Sequence, residues 1–436
     1  MIADVIVIGA GISGLACALA VQRNGLTPLI LDASDAVGGR LRTDKHRDFL
    51  LDRGFQVLQT WYPEARRLLD YDTLDLRPFD PGALVRFGGR FHRVTDIWRR
   101  PSRSIEMLLS PVATAGDKVR LLAFRRRALH GGLKELYERP DTEALAMLEG
   151  FGFSQRIIER FFKPCFCGVF FDPDLAVSSR AFEFVFRAFA LGDTALPARG
   201  MGTIPAQLAA KLAPESIRLQ TRVRQLLDRQ VVLDSGERIR GRALVVATDG
   251  REAARLMGRD VVPETRGTTC FYFAADQPPI PGPNLALNGE GGGLINSLLV
   301  PSNLSDYYAP AGRHLVTVNL LDARSDPDLV EPQLRKELIG WFGAKARTWE
   351  RLAVYRLAAA LPDQYPPVPY PGARKVIIRD GLWICSELGA APSIQWALHS
   401  GTRAGESVSA ALHGRKIMTT SSDDQAKRQE TTSHNH

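Results

Sequence analysis

Residues 4–14 read Asp4-Val-Ile-Val-Ile-Gly9-Ala-Gly11-Ile-Ser-Gly14, an apolar β-branched run that leads directly into a Gly-x-Gly-x-x-Gly motif. The small and apolar residues 15–21 that follow are typical of a buried helix. In such a unit the first glycine permits the turn, the second lets a diphosphate approach the backbone, and the third lets the helix pack against the strand. The pattern therefore predicts a strand, a tight turn and a helix whose N-terminus faces a dinucleotide.

A second strand and an acidic residue extend this unit. Gly25 fits a helix C-terminus, and residues 28–31 form a predicted strand that ends at Asp32. This carboxylate lies about twenty residues after the glycines, where it would accept hydrogen bonds from both ribose hydroxyls and repel a 2′-phosphate. Together these features are a far more specific signal than a glycine triplet alone.

The next stretch distinguishes FAD from NAD. It reads Ala33-Ser-Asp-Ala-Val-Gly38-Gly39-Arg40-Leu41, a second glycine turn closed by an arginine. Here the chain resembles the flavin-containing amine oxidase superfamily, which includes monoamine oxidases, protoporphyrinogen oxidases and carotenoid desaturases such as phytoene desaturase. The resemblance implies that Gly39 and Arg40 close over the FAD diphosphate, because a guanidinium can donate two parallel hydrogen bonds to such an oxyanion. The alternative is an NAD-binding unit followed by an ordinary surface loop.

Three later segments carry the same resemblance. Residues 50–57 resemble the family segment that runs past the flavin ring, and residues 199–205 resemble the glycine-methionine turn that leads to the second FAD contact. Residues 381–401 resemble the C-terminal signature of strand, acid, loop and helix. Motifs of one family thus occur at both ends and in the middle of the chain.

The resemblance also implies roles for individual residues. Val223 would meet the adenine through its backbone, and Glu387 would accept hydrogen bonds from the ribitol hydroxyls. The helix that starts near Ser393 would point its positive end at the flavin. The implied FAD-binding residues are Gly9, Gly11, Ile12, Ser13, Gly14, Asp32, Ala33, Gly38, Gly39, Arg40, Leu41, Gly54, Phe55, Val223, Thr248, Glu387, Ser393 and Ile394.

The predicted fold class is α/β, with an FAD-binding Rossmann-like domain interleaved with a substrate domain of antiparallel sheet plus a helical insert. Strand-like runs dominate residues 265–321, and residues 329–342 predict one helix with Pro332 as its start signal. The predicted segments are 1–81 (FAD-binding), 82–195 (helical insert), 196–260 (FAD-binding), 261–374 (substrate sheet), 375–414 (FAD-binding) and 415–436 (disordered tail).

Composition predicts a soluble, cytoplasmic protein. The chain has 436 residues, of which 45% are hydrophobic, and no apolar run is long enough to span a bilayer. Met1 directly precedes the first predicted strand, which leaves no room for a signal peptide. Five scattered cysteines favour a reducing compartment. Because Cys385, near the last motif, falls in a predicted buried strand, FAD should be bound non-covalently.

The positive charge is concentrated in one region. The net charge is +8, and residues 84–139 hold thirteen basic and five acidic residues, a difference that equals the whole net charge. Apolar residues alternate with these cations, so the segment could lie on an anionic membrane surface as a peripheral contact. The alternative is a solvated helical face of an ordinary domain. Nucleic acid is not expected as a partner, because the chain offers no recognition module.

The substrate is predicted to be an apolar molecule. Aromatic residues crowd the segment 161–171, which could line a substrate tunnel or simply belong to the core. Amine oxidases resemble one another in a lysine on the substrate sheet and in aromatic residues that cage the amine. Here residues 265–321 contain no lysine and residues 388–394 no aromatic residue, although Tyr365 and Tyr370 could supply part of a cage.

These features predict an FAD-dependent oxidoreductase that dehydrogenates an isoprenoid or polyene by hydride transfer to flavin N5. No catalytic side chain is assigned, because the flavin carries the chemistry, and no metal site is expected. The alternatives on the same scaffold are an oxidase of amines or of a protoporphyrinogen. Two further alternatives are a polyene isomerase that depends on reduced flavin and a binding protein in which FAD is structural.

Overall fold

The computed structural model describes residues 3–103, 110–259, 264–385 and 391–414, and confirms an α/β fold. In chain order the strands are β1 (Ala3–Ile8), β2 (Pro28–Leu31), β3 (Thr43–His46), β4 (Phe49–Asp52), β5 (Leu58–Gln59), β6 (Leu76–Pro78), β7 (Gly82–Phe87), β8 (Arg90–Thr95), β9 (Thr194–Pro197), β10 (Ile217–Arg218), β11 (Val223–Leu227), β12 (Gln230–Leu233), β13 (Arg238–Val246), β14 (Thr265–Ala275), β15 (Leu285–Asn288), β16 (Ser297–Leu299), β17 (His314–Leu320), β18 (Glu350–Pro362), β19 (Ile377–Arg379) and β20 (Leu382–Ile384).

The α-helices are numbered in the same way. They are α1 (Ile12–Arg23), α2 (Pro63–Leu68), α3 (Tyr71–Leu74), α4 (Ala115–Leu129), α5 (Leu133–Glu138), α6 (Ala144–Gly150), α7 (Gln155–Ile157), α8 (Lys163–Phe170), α9 (Ser179–Leu191), α10 (Thr203–Ala209), α11 (Gly250–Leu256), α12 (Pro327–Phe342) and α13 (Ile394–Leu412). A π-helix, Ile158–Phe162, joins α7 to α8.

The first sheet holds the predicted cofactor unit. Its order is β10-β2-β1-β13-β12-β11, with β20 beside β13 and β19 beside β20. Strand β1 pairs in parallel with both β2 and β13, and it is almost completely buried, as its continuous apolar sequence requires. The strands come from three separate parts of the chain, which agrees with the predicted interleaving.

Helices α1 and α13 pack against each other at van der Waals distance. A Cβ atom on Gly401 would lie 2.1 Å from the carbonyl oxygen of Ser13, and one on Gly405 would lie 2.5 Å from that of Cys17. These contacts advance in the same direction along both helices, so the helices run parallel. Their N-termini therefore face the same edge of the first sheet, with α13 starting about 9 Å beyond α1.

The second sheet forms the predicted substrate floor. Its order is β18-β14-β17-β16-β15-β7-β8, and all its pairs are antiparallel except β15 with β7. Along β14, Cys270 and Tyr272 face the first sheet and share its core, whereas Phe271 and Phe273 pack on the side of α12. The sheet thus separates the cofactor side of the molecule from a helix-covered outer side.

The helical insert begins with strands, contrary to the sequence-based expectation for residues 82–195. Strands β7 and β8 form a hairpin that completes the substrate sheet, and helices α4–α9 follow. The turn is Gly88-Gly89, whose φ angles are +60° and +73°. Two consecutive positive φ angles define the tight turn that matches strand twist, so the Gly-Gly pair was the signal for this hairpin. The remaining domain boundaries stay a prediction.

The start signal assigned to Pro332 is wrong. Helix α12 begins at Pro327, and the side chain of Asp326 caps it by accepting a hydrogen bond from the backbone N–H of Asp328. Pro332 lies inside the helix. An acidic cap followed by proline at the first helical position is the stronger N-terminal signal, because it satisfies an otherwise unpaired donor.

A buried carboxyl group, that of Asp52, joins four parts of the fold. Its Oδ1 accepts hydrogen bonds from the Thr43 hydroxyl at 2.5 Å and from the Met201 backbone N–H at 2.8 Å. Its Oδ2 lies 2.7 Å from the hydroxyl of Tyr308. The hydroxyl of Tyr272, on β14, donates to the backbone oxygen of Asp52 at 2.5 Å. Burial raises the pKa of Asp52 above its ordinary value, and the hydrogen bonds oppose this rise only in part.

The raised pKa predicts a pH-dependent effect of Asp52→Asn. The folded state favours the protonated acid, so the stability that Asp52 contributes is complete below its unfolded pKa, near 4, and is lost as pH rises through the folded value. The amide does not titrate, and it can make the same contacts as the protonated acid. Between about pH 4 and about pH 7 we expect the thermal midpoint of the wild type to fall relative to Asp52→Asn, by about 1–3 °C.

The control for this measurement is Asp380→Asn, since the Asp380 side chain is 89% exposed and should show no such trend. A wild type that gains stability over Asp52→Asn as pH rises would show that the fold binds the carboxylate as an anion.

Candidate functional site

The first glycine motif forms a tight turn with open space above it. Cβ atoms on Gly9 and Gly14 would lie 2.6 Å from the Ala247 oxygen and 2.0 Å from the Gly9 oxygen, so both positions exclude a side chain. A Cβ on Gly11 would meet nothing within 4 Å. Gly11 is the N-cap of α1, and it offers no side-chain cap. The turn therefore leaves room for an anion at the start of α1, with Ile12 and Ser13 in the first turn.

The carboxylate of Asp32 lies at the carboxyl end of β2, beside this turn. It accepts hydrogen bonds from the backbone N–H groups of Ala10, at 2.6 Å, and Ser34, at 2.7 Å. These bonds fix its position at the edge of the sheet. Ala33 lies between Asp32 and Ser34 in the sequence. Because an ionised carboxylate can accept about four hydrogen bonds, capacity remains for a ribose.

The second glycine turn packs onto the first. The N–H of Gly38 donates to the oxygen of Ala10 at 2.9 Å, and a Cβ on Gly39 would lie 3.5 Å from the Cα of Gly11. Leu41 closes this turn, because its N–H donates to the oxygen of Gly38 at 3.0 Å. The structure thus brings both glycine turns to one groove.

Arg40, predicted to bind the diphosphate, reaches across to the second sheet. One of its guanidinium nitrogens donates to the oxygen of Ala360, on β18, at 2.7 Å. The planar guanidinium has five donors in a fixed fork, a geometry that suits an oxyanion. Its contact with FAD stays a prediction.

The other described residues that were predicted to contact FAD lie around the same edge of the first sheet. Thr248 follows β13 next to Gly9, whereas Val223 opens β11 and its carbonyl accepts a hydrogen bond from Arg255. Ser393 caps α13 by accepting from the N–H of Trp396, two residues after Ile394. Helix α13 therefore starts next to Ser393, where the resemblance to the family implied a helix start. Glu387 lies outside the described residues.

The segment after β4 connects the two sheets. The backbone N–H of Gly54 donates to the hydroxyl of Tyr272 on β14 at 3.2 Å, and the positive φ of Gly54, +93°, turns the chain there. Phe55 follows and lines a cavity of about 330 Å³. The predicted flavin-ring segment therefore forms one wall of a large cavity over the second sheet.

Mostly apolar side chains line this cavity. They come from the segment near Phe55, from the β7–β8 hairpin, from helices α4, α8 and α9, and from β15 and β16. Among them are Phe55, Val57, Phe79, Val94, Ile97, Trp98, Val112, Leu121, Leu122, Ile157, Phe161, Phe166, Val169, Phe186, Phe189, Leu285 and Leu287. Trp98 and Leu122 are 42% and 47% exposed, so they mark the mouth.

The aromatic segment 161–171 serves both of the roles considered for it. Phe162 and Phe170 are buried in the core of the helical region. Phe161 and Val169 line the cavity, and Phe166 takes part in both. The segment is helical, so its opposite faces can serve a core and a cavity at once.

Carboxylates of the cavity are paired with arginines. Asp80 lies 3.4 Å from Arg93 and 3.6 Å from Arg100, and Asp96 lies 3.8 Å from Arg125. These are the acidic residues that line the cavity within the described ranges. Their negative charge is therefore balanced by the protein itself.

The two tyrosines considered for an amine cage are engaged elsewhere. Tyr365 accepts a hydrogen bond from Arg266 and is 46% exposed. Tyr370 packs against Tyr137 and Trp396, with ring centroids 5.7 Å from each. Neither lines the cavity, which removes the structural basis for such a cage there.

In the described part of the chain, potential metal ligands do not cluster and the cysteines are unpaired. No group of three or more His, Cys, Asp or Glu side chains could hold a metal ion there. The five cysteines are free thiols, and Cys385 is fully buried. Its hydrogen bond with Cys17, together with burial, raises the pKa of Cys385 well above its usual value.

Comparison with known proteins decides the family. Residues 12–408 match the family of flavin containing amine oxidoreductases. The chain belongs to this family. The resemblance in its motifs therefore indicated the correct family.

Solved members share the fold at low sequence identity. A putrescine oxidase structure superposes with a TM-score of 0.70 and 16% identity, over 95% of this chain and 100% of that one. Cyclohexylamine oxidase from Brevibacterium oxydans gives 0.70 and 17%, over 95% and 99%. Protoporphyrinogen oxidase 2 of Arabidopsis thaliana is 38% identical over 118 residues, 27% of this chain and 23% of its own length. The chain spans about a quarter or less of the curated relatives that it matches.

The groove fits the cofactor of this family. Open space above Gly11, an acceptor at Asp32 and two converging helix N-termini are the features that a diphosphate, a ribose and a flavin ring require. Bound there, FAD supplies the hydride acceptor, while the protein supplies position and a dry environment.

Sequence reasoning missed most of the cavity. Its walls come from distant segments, and only residues 161–171 were considered for it. Two polar residues of its lining, Asn296 and Ser297, carried no sequence signal, since a single Asn-Ser pair after a glycine-rich turn is common in loops.

The open space above Gly11 predicts that Gly11→Val blocks FAD without unfolding the protein. Gly11 has a φ of −66°, which valine adopts without strain. We expect the variant to keep its helical circular dichroism and to bind FAD at least about tenfold more weakly, a cost of about 1.4 kcal/mol. Flavin released by acid denaturation and filtration is measured by absorbance.

Gly340→Val is the matched control, because a Cβ there also meets open space, far from the groove on α12. Gly14→Val, whose Cβ would strike the Gly9 oxygen, should instead disrupt the fold. A Gly11→Val protein with a full complement of flavin would refute the placement of the diphosphate.

Proposed function

We propose that this FAD-dependent oxidoreductase dehydrogenates a lipophilic molecule, of the isoprenoid or polyene class, bound in the cavity beside Phe55. By their resemblance to the family motifs, the residues Gly9, Gly11, Asp32, Gly39 and Arg40 would hold the cofactor. FAD is bound non-covalently in this proposal, because Cys385 is buried and its raised pKa disfavours the nucleophilic thiolate.

The lining of the cavity is the observation that carries this proposal. An apolar ligand gains about 25 cal/mol for each Å² of its surface that leaves water, and the aromatic and aliphatic walls provide such an environment. The exclusion of water also favours hydride transfer over side reactions at the reacting carbon. Dehydrogenation also releases one proton from the neighbouring atom of the substrate, and in this proposal that proton reaches solvent at the mouth of the cavity.

An amine substrate is the main rival, and it is favoured by the fold shared with putrescine and cyclohexylamine oxidases. A protonated amine would need an unpaired carboxylate or an aromatic cage. Asp80 and Asp96 are paired with arginines, and Tyr365 and Tyr370 lie outside the cavity. These contacts support the apolar substrate.

The proposal predicts which compounds bleach the bound flavin. Under anaerobic conditions a lipid extract should bleach the visible absorbance, whereas putrescine and cyclohexylamine should not.

Val169→Trp would fill the cavity and slow bleaching at least about tenfold while FAD stays bound. The control Leu329→Trp changes a residue that is 80% exposed on α12, and it should behave as the wild type. If only the amines bleached the flavin, the protein would be assigned as an amine oxidase. If protoporphyrinogen bleached it, the protein would be assigned as a protoporphyrinogen oxidase.

We also propose that the mouth of the cavity contacts an anionic membrane surface. No helix in the described ranges is long and apolar enough to cross a membrane. Trp98, Val119 and Leu122 are nevertheless exposed near the mouth, at 42%, 66% and 47%. Helix α4 carries five basic residues and one acidic residue, a charge that anionic lipid would attract.

The basic surface is smaller than the sequence suggested. Arg99 pairs with Asp193 and Arg127 with Glu183, so carboxylates from other segments neutralise part of residues 84–139. Within the same range, Arg125 pairs with Asp96. Substituting Arg125 or Arg127 would therefore break internal ion pairs. The exposed apolar residues offer a cleaner test.

Val119→Glu combined with Leu122→Glu should abolish vesicle binding. Each glutamate removes apolar contact and adds repulsion from the lipid, so partitioning onto vesicles with about 30% phosphatidylserine should fall at least about tenfold. Co-sedimentation at low and high salt measures it. Leu329→Glu, an equally drastic change on α12, is the control. Wild-type protein that stays in the supernatant at low salt would contradict the membrane contact.

A further inference from the structure

The inner end of the cavity holds two polar groups without partners. Asn296 and Ser297 line the cavity and are 8% and 2% exposed. The amide nitrogen of Asn296 and the hydroxyl of Ser297 are buried, and neither makes a hydrogen bond within the described part of the chain. Leaving such a group unpaired costs roughly 1–3 kcal/mol, so buried polar groups are normally satisfied.

Contacts with neighbouring elements hold Asn296 and Ser297 in position at the start of β16. Ser297 is the first residue of β16, in the middle of the substrate sheet, where it pairs with Asn319 of β17. The backbone N–H of Asn296 donates to the oxygen of Asn319 at 3.0 Å, which fixes the residue at the strand entry. A Cβ on Gly168, another lining residue, would lie 2.6 Å from the Asn296 amide nitrogen, so α8 leaves space for this amide only because it has glycine there.

The position of Ser297 relative to the segment around Phe55 shows toward which end of the cavity Asn296 and Ser297 lie. Ser297 and Leu299 lie two residues apart on the same face of β16, about 7 Å from each other. Leu299 shares a smaller pocket with Gly54 and Phe55. The polar pair therefore lies toward the Phe55 end, whereas Trp98 and Leu122 lie at the exposed mouth.

We propose that Asn296 and Ser297 form a subsite for one oxygen atom of the substrate. This inference deepens the proposed function and rests on it: the substrate is an oxygenated lipophile, an alcohol or carbonyl compound, rather than a pure hydrocarbon. The amide nitrogen donates a hydrogen bond, and the hydroxyl can donate or accept, so a ligand oxygen satisfies both groups. The hydrocarbon part then extends along the apolar walls toward the mouth.

Equilibrium dialysis of the FAD-loaded protein against farnesol and farnesene tests the subsite. The two probes have the same length, and only farnesol carries an oxygen. We expect the wild type to bind farnesol about 3- to 10-fold more tightly, the effect of one hydrogen bond of ordinary net strength. Asn296→Leu and Ser297→Ala should each reduce this preference and leave farnesene binding nearly unchanged.

Ser110→Ala is the matched control. Ser110 is another buried serine of the same cavity, but its hydroxyl already accepts from the N–H of Val112 at 3.5 Å, so the variant should keep the wild-type preference. Equal affinity of the wild type for both probes, or a preference that survives both substitutions, would overturn the subsite and leave the lipophile cavity standing. Failure of both probes to bind would overturn the proposed function together with it.

Discussion

The site depends on the buried, hydrogen-bonded side chain of Asp52. Asp52 is enclosed by Thr43, by the Met201 turn and by Tyr308, and its backbone oxygen is held by Tyr272 of the substrate sheet. Each contact belongs to a different part of the chain. They fix the residues that follow Asp52, including Phe55, between the cofactor groove and the cavity. Burying a carboxyl group without these hydrogen-bond partners would cost free energy. The hydrogen bonds of Asp52 and the packing of the two sheets therefore depend on each other.

The contacts around Asp52 lie between two chemically different halves of the molecule. On one side lie glycine turns, an aspartate and helix N-termini, which suit a charged and hydroxylated cofactor. On the other side lies a mostly apolar cavity whose carboxylates are paired with arginines. Members of one fold can therefore share the first half and differ in substrate through the second, so the similarity to amine oxidases shows the scaffold and does not determine the ligand.

The cofactor half could be predicted from sequence because its signals are local. The spacing of Gly9, Gly11 and Gly14 and the position of Asp32 follow from the geometry of one strand, one turn and one helix. The cavity could not be predicted, because its walls meet only after residues far apart in sequence pack together. The same holds for the basic region: its excess charge was read from residues 84–139, but Asp193 and Glu183, which neutralise part of it, lie beyond that range. The hairpin at Gly88-Gly89 was predictable, and its turn signal was overlooked.

If a lipophile loses hydrogen to the bound flavin, the mass of the product shows the loss directly. FAD-loaded protein would be mixed anaerobically with a lipid extract, and compounds that disappear would be compared with those formed by mass spectrometry. We expect a product lighter than its precursor by two hydrogen atoms, formed in an amount equal to the flavin that is reduced. A product of unchanged mass, formed while the flavin keeps its redox state, would contradict dehydrogenation and identify an isomerase.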